Sequence, residues 1–345
     1  MILPERFCLV FSVVSALIKQ ATAQSPLCSE PVSSTQYEVS NVAVPTSISI
    51  DGIRELRLAN FLENLEVSFF SAGMQNTTNW DMDWLPENAP EIIDSIASVR
   101  MQLLSRLFTA KARQQEVVHL SSIEQLLGFY NATITPPCNY SFPVSTSREF
   151  VELGHAIASA GIGAVVGIAE RLAKTDPLLL NIFSSILPVE SRHDAFFRSV
   201  EGAIPNPTPF ETGISGIWAY NLALAFIEPG SCSEELPLPV FSRLGVSDHT
   251  LQSVNQTRRQ RDFSWDPTQT PFTLETGKQL FVGWVSQLDG PVYTPLNVTA
   301  AGRGTSCMPP GLSGTVFVVV TAQKPENVDD LVLSSLAGPA VVSLS

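Results

Sequence analysis

Two short patterns in this chain join residue types that can share a metal ion. Glu116 and His119 form one Glu-x-x-His pair, and Glu190 and His193 form a second. Residues three apart on a helix lie on one face, about 4.5 Å apart along the axis. A carboxylate and an imidazole so placed can reach one cation. Two such pairs on two helices, with a lone Glu from each of two others, make the arrangement that holds two iron or two manganese ions inside a four-helix bundle. The order along the chain is Glu, Glu-x-x-His, Glu, Glu-x-x-His. Here Glu63 supplies the first member, Glu116 and His119 the second, and Glu190 and His193 the fourth. The chain has only four histidines, and two of them stand in these pairs. One pair alone reads as a solvated helix face; two at the second and fourth places of a four-helix order read as a site. The candidate metal ligands are therefore Glu63, Glu116, His119, Glu190 and His193, with iron or manganese as the cofactor.

Helices must position these groups, and the apolar spacing supplies them. Leu56, Ala59, Phe61, Leu62, Leu65, Phe69 and Phe70 recur at helical intervals, with Asp51 as N-cap and Gly73 as stop. Residues 76–90 form a loop with two Trp and two Pro. Helical periodicity resumes at Glu91, breaks near Thr109 and defines a second helix from Ala110 to Phe129. A third starts near Ser147 and ends before Asp176. A fourth runs from Pro177, suited to a first helical turn, to about Ala203, with a kink or break at Pro188. A short fifth covers Ile214 to Ile227. Prolines and polar residues then fill 231–270, read as a linker. From 271 the signals are β: Gln279 to Val285, Thr315 to Ala322 and Ala340 to Leu344, punctuated by Gly and Pro.

Composition narrows the partners and the compartment. The chain has 345 residues, 44% hydrophobic and 15% charged, with a net charge of −13. That is enough apolar material for a core and too acidic a balance for a nucleic-acid binder. Residues 1–23 resemble a secretory signal: Arg6, an apolar run from Phe7 to Ile18, then Ala21-Thr22-Ala23. No further segment is expected to enter a membrane; Ala156 to Ala169 is apolar but too short to span. Past residue 23 the cysteines are Cys28, Cys138, Cys232 and Cys307. This is an even number, so two disulfides are expected, with three possible connectivities. Five acceptor sequons, at Asn76, Asn131, Asn139, Asn255 and Asn297, point to a secreted glycoprotein. The expected divisions are a signal at 1–23, an extended arm at 24–50, a helical bundle at 51–230, a linker at 231–270 and a β-rich module at 271–345.

Other motifs carry less. Gly161, Gly163 and Gly167 lie inside a helix and read as close packing. No nucleophile elbow is present, and the cysteines lack zinc-ligand spacing. His249 falls in a polar stretch and reads as solvated. Arg258-Arg259-Gln260-Arg261 reads as a surface loop or a processing site.

Longer stretches resemble a family. Phe61-Leu62-Glu63-Asn64-Leu65-Glu66-Val67-Ser68-Phe69-Phe70 resembles the first-helix signature of the ferritin-like proteins that include plant desiccation-related proteins and secreted fungal proteins of stress response and late sexual development. Ala112 to His119, Gly161 to Gly167 and Ser185 to His193 are similar to the family's second, third and fourth helices. Trp218 to Ile227 and the closing Ser313 to Val320 with Gly338-Pro339-Ala340 resemble the fungal branch. The resemblance implies an α+β fold, a ferritin-like four-helix bundle followed by a small β-rich module.

It also marks a departure. The family's third-helix Glu falls at Ala158, which cannot bind metal. Glu152 and Glu170 lie about 9 and 18 Å away along the helix. His155 is one turn off on the same face, and the N-terminal tilt of helical side chains carries it further. Phe70 stands where such helices often carry Tyr. With five of six ligands, three outcomes follow: an unusual dinuclear centre, a mononuclear or loosely loaded site, or a polar core in which Glu and His pair with each other. The implied function is a secreted protective or structural glycoprotein, associated with the cell wall or extracellular matrix, acting in stress or sexual development. The alternative is an iron- or manganese-dependent oxidase or peroxide-consuming enzyme. Oligomeric state is left open by the sequence.

Overall fold

A computed structural model describes residues 44–76, 97–248, 260–269 and 279–344, with the backbone alone for 97–106 and 248. The signal-like segment, Cys28, His249, Arg258, Arg259 and Asn255 lie outside the described residues.

Four long helices come first: α1 (Ile50–Asn76), α2 (Ala97–Phe129), α3 (Ser147–Thr175) and α4 (Leu180–Val200). Ser49, rather than the expected Asp51, caps α1, its hydroxyl accepting from the Gly52 N–H at 2.9 Å. Asp51 sits in the first turn, where its charge suits the helix dipole. The expected break near Thr109 is absent. No Gly or Pro stands between Ala97 and Leu127 to cause one, and α2 runs straight through. The start of α3 is fixed by a capping box: Thr146 accepts from the Glu149 N–H and the Glu149 carboxylate reaches back to the Thr146 N–H. Pro177 opens a single 3₁₀ turn ahead of α4, and Pro188 lies within α4 without ending it.

By length and composition α3 could cross a membrane, but most of its apolar stretch is buried inside the protein. Its glycines show why. Ile214 N–H donates to Gly163 C=O at 3.0 Å. A Cβ on Gly163 would lie 2.8 Å from the Thr212 carbonyl, and one on Gly167 would overlap that of Ile214. The small residues let the segment leading to α5 (Gly216–Ala223) lie directly on α3. Cys138 and Cys232 form a disulfide that ties the loop after α2 to the chain beyond α5. Cys307 is exposed and unpaired among the described residues.

Seven antiparallel strands follow, in the order β1-β2-β5-β4-β3-β6-β7: β1 (Leu244–Asp248), β2 (Gln260–Trp265), β3 (Leu280–Ser286), β4 (Val292–Ala300), β5 (Arg303–Cys307), β6 (Gly314–Thr321) and β7 (Ser335–Leu344), with α6 (Val328–Leu333) between the last two. The sheet begins earlier than its sequence signal. β1 and β2 lie in the stretch read as a linker, where Leu244, Phe263 and Trp265 are buried among otherwise polar residues. A bridge from Ser242 to Ala337, and a hydrogen bond from the Gly338 N–H to the Ser242 carbonyl, draw the edge strands together. The sheet therefore rolls around an inner core that includes Phe263, Val282, Trp284, Val316, Val318 and Val320. On its other face Val285, Phe317 and Val319 pack with Ala164, Ile214, Trp218 and Leu331. Burial on both faces explains why β6 is continuously apolar from Val316 to Val320 rather than alternating.

The bundle and sheet are also joined by charge. Arg198 of α4, 1% exposed, donates to the Ile204 carbonyl and to Ser343 of β7, and lies 2.9 Å from His155 Nε2. His155 Nδ1 meets Glu201 at 2.8 Å.

Candidate metal centre

Three helices bring the five expected ligands into one buried cluster. α1 supplies Glu63, α2 supplies Glu116 and His119, and α4 supplies Glu190 and His193; all five are buried. Glu116 is central. Its Oε2 lies 2.9 Å from His119 Nδ1 and its Oε1 2.9 Å from His193 Nδ1. Glu190 reaches both imidazoles, at 3.2 Å from His119 Nδ1 and 3.4 Å from His193 Nδ1. Glu63 Oε2 is 3.7 Å from His119 Nδ1. Two triads result, Glu63–Glu116–His119 and Glu116–Glu190–His193, each with ligand atoms within 4.8 Å of one another. They share Glu116.

This donor set fits a metal. Four buried atoms, Glu63 Oε2, Glu116 Oε1, Glu190 Oε1 and His193 Nδ1, have no hydrogen-bond partner. His193 Nδ1 and Glu116 Oε1 are close but not aligned for a hydrogen bond, so lone pairs converge on the same space. Mixed carboxylate and imidazole ligands suit iron and manganese. A buried polar atom without a partner is costly unless something satisfies it.

Proton affinities follow from the crowding. Burial pushes Glu63 up to about 8, against the pull of His119. Burial works against charge on His193, but the Glu116 and Glu190 carboxylates beside it overcome this and raise it to about 9. The same contest holds His119 well above the usual imidazole range, through Glu116, Glu190 and Glu63. At Glu190 burial opposes ionisation, yet the close imidazoles of His119 and His193 bring it down to about 2. Without a metal, the imidazoles hold protons that neutralise the carboxylates.

Two neighbours were not singled out by sequence reasoning. Gln115 Oε1 lies 3.0 Å from His193 Nε2. If the ring donates there, Nδ1 is left as a lone pair facing the triad, the usual way an outer contact fixes a ligating imidazole. Nothing in the sequence marks a contact from α2 to α4, beyond the adjacency of Gln115 to Glu116. The second neighbour is Glu66, one turn from Glu63 and buried beside the same charges; its spacing from Glu63 was the available signal. The rings of Phe70 and Phe108 meet His193 edge-on at 5.7 and 5.6 Å. Phe70, where a Tyr was expected by resemblance, thus packs against a ligand without a polar contact.

The weaker substitutes for the third-helix Glu are engaged elsewhere. Glu152 pairs with Arg148 and Glu170 with Lys174, both on the exposed surface. His155 belongs to the Arg198–Glu201 network. Ala158 is buried and offers no ligand.

Residues 52–203 match the ferritin-like domain family, the stretch that contains all five candidate ligands. Over 339 residues the chain is 22% identical to protein Rds1 of Schizosaccharomyces pombe, covering 84% of this chain and 79% of that protein. Residues 52–203 are thus a ferritin-like domain, and the similarity to Rds1 extends past it into the sheet.

Proposed function

We propose that this protein is a secreted ferritin-like glycoprotein that protects cells or their matrix during stress or sexual development, and that it does so with iron or manganese held in its bundle core. The observation that carries the reading is Glu116, whose two oxygens face two different imidazoles and so serve two adjoining triads. The signal-like N-terminus supports secretion. Asn76, Asn131, Asn139 and Asn297 are exposed, as glycan acceptors must be, and the Cys138–Cys232 disulfide suits an oxidising compartment. The family resemblance supports the stress and developmental setting.

When bound, iron or manganese supplies a one-electron redox couple. The chain's own residues determine what such a couple can do. Gln115 fixes the orientation of His193, and Phe70 and Phe108 shield it from water. Glu63 and the two imidazoles hold protons that must leave before a cation enters. The carboxylate shared between triads also favours a second reading, an oxidase or peroxide-consuming enzyme, since paired redox ions suit two-electron chemistry.

The test is a deletion strain complemented with the wild-type chain or with Glu116→Gln. The wild type should appear in the medium, shift to lower mass on enzymatic removal of N-glycans, and restore survival under desiccation or oxidative stress. Glu116→Gln should be secreted equally and fail to restore survival. Equal rescue by both would contradict a role for the metal. Retention of the wild type inside the cell would contradict secretion.

A further inference from the structure

Between the bundle and the sheet lies a cavity of about 470 Å³, and none of the five candidate metal ligands lines it. Short side chains leave this space. Ala156, Ala160 and Gly161 of α3 border it, with Ala219 and Ala223 of α5. Leu62, Phe241 and Pro339 add apolar wall from α1 and from the chain before β1 and within β7. An apolar cavity of roughly 150 Å³ already takes up benzene, and ligand sites run from about 300 to 1,000 Å³. Three polar side chains line it: Glu66, Asn221 and Arg243. Asn221 is spent on structure, donating to the Ile217 and Pro239 carbonyls and accepting from the Phe241 N–H. Arg243 is exposed at the mouth, beside exposed Ala225 and Gly245, and donates to the Leu224 carbonyl at 2.7 Å. Glu66 is different. It is 7% exposed, and among the described residues its carboxyl makes no hydrogen bond or ion pair. Its Oε1 rests against the backbone of α3, 2.6 Å from where a Cβ on Gly161 would stand. A buried carboxyl without a partner is unfavourable, and Leu or Met would fill that volume. Burial holds its proton affinity well above the usual carboxylate range, so the group offers an O–H and a carbonyl oxygen.

We propose that this cavity is a binding site for a medium-chain aliphatic alcohol, whose hydroxyl is held by the Glu66 carboxyl and whose chain lies along the apolar walls toward the mouth at Ala225 and Arg243. A hydroxyl both donates and accepts, which matches what the carboxyl offers. An ammonium or carboxylate headgroup would carry a charge into walls that are otherwise hydrocarbon. Binding stabilises the join between α1, α3, α5 and the sheet, since all of them contribute wall. The inference does not depend on metal in the bundle core.

The experiment is titration calorimetry of the purified full-length protein with 1-octanol, octylamine and sodium octanoate. The wild type should bind one molecule of 1-octanol per chain, more tightly than either charged relative. Glu66→Leu should weaken 1-octanol by roughly 5–100-fold, because the buried hydroxyl then lacks a partner. Glu66→Gln, which still donates and accepts, should keep affinity within a few-fold. Circular dichroism and thermal unfolding confirm that each variant folds. Ala225→Trp changes an exposed position at the mouth and should abolish binding without touching the core. No binding of 1-octanol to the wild type, or equal binding to the wild type and Glu66→Leu, would overturn the inference. So would undiminished binding to Ala225→Trp. Tighter binding of octylamine or octanoate would replace hydroxyl recognition with an ionic contact and overturn it as well.

Discussion

Glu116 and His193 stand 77 positions apart on different helices, yet Glu116 Oε1 and His193 Nδ1 approach to 2.9 Å without hydrogen-bond alignment. The same carboxylate's other oxygen meets His119 at the same distance. One side chain therefore organises both halves of the cluster. Replacing Glu116 by Gln should remove or strongly weaken both metal positions, whereas Glu63→Gln should affect only the triad with His119. Metal counts per chain for the two variants check this; equal losses in both would show that Glu116 is not shared.

Gln115 acts one contact further out. It fixes the ring of His193 through Nε2 rather than touching the ligand space. Gln115→Ala should fold normally and lower affinity at the Glu116–Glu190–His193 triad by roughly 10–100-fold. Competition with a chelator of known strength measures the change. An unaltered affinity would show that Phe70 and Phe108 suffice to hold the ring.

The metal-free protein should lose stability as pH rises. Glu63 titrates near 4.5 when unfolded and near 8 when folded, so the folded state keeps a proton that the unfolded state has released, and stability falls as pH climbs through about 8. His193 moves from 6.5 to about 9; its contribution is complete below 6.5 and disappears as pH passes about 9. Both effects have the same sign between pH 6.5 and 8. The midpoint of thermal unfolding in the presence of a chelator should therefore be lower at pH 9 than at pH 6.5. A flat or rising profile would mean that these groups are not protonated in the folded core.

Gly167 is expected to be intolerant for a reason unrelated to the metal. A methyl group there meets the Ile214 carbonyl, which is backbone and cannot rotate away. Gly167→Ala should cost about 1–3 kcal/mol of stability, read from denaturant unfolding, and Gly128→Ala, which meets nothing, should not.

Much of this was legible in the sequence, and the parts that were not have physical causes. Glu63, Glu116, His119, Glu190 and His193 announced themselves because helical spacing is local and histidine is scarce. The ends of α3 were legible because Thr146, Glu149 and Pro177 act on neighbouring backbone. The break expected at Thr109 had no Gly or Pro behind it, and the cap expected at Asp51 lost to Ser49, whose hydroxyl lies nearer the first free N–H groups. β1 and β2 were hidden because their pairing partners lie elsewhere: β2 bonds β5 some forty residues on, and only Phe263 and Trp265 enter the core. Gln115 was hidden because its role depends on a contact between helices.

The most direct test is elemental analysis of the protein purified, without added metal, from its native source, culture medium and cells alike. Iron or manganese is expected at no less than one ion per chain, and neither in Glu116→Gln. Protein that carries neither metal, and that takes up neither with better than micromolar affinity after reconstitution, would contradict it and leave the cluster as a polar core in which glutamate and histidine satisfy each other.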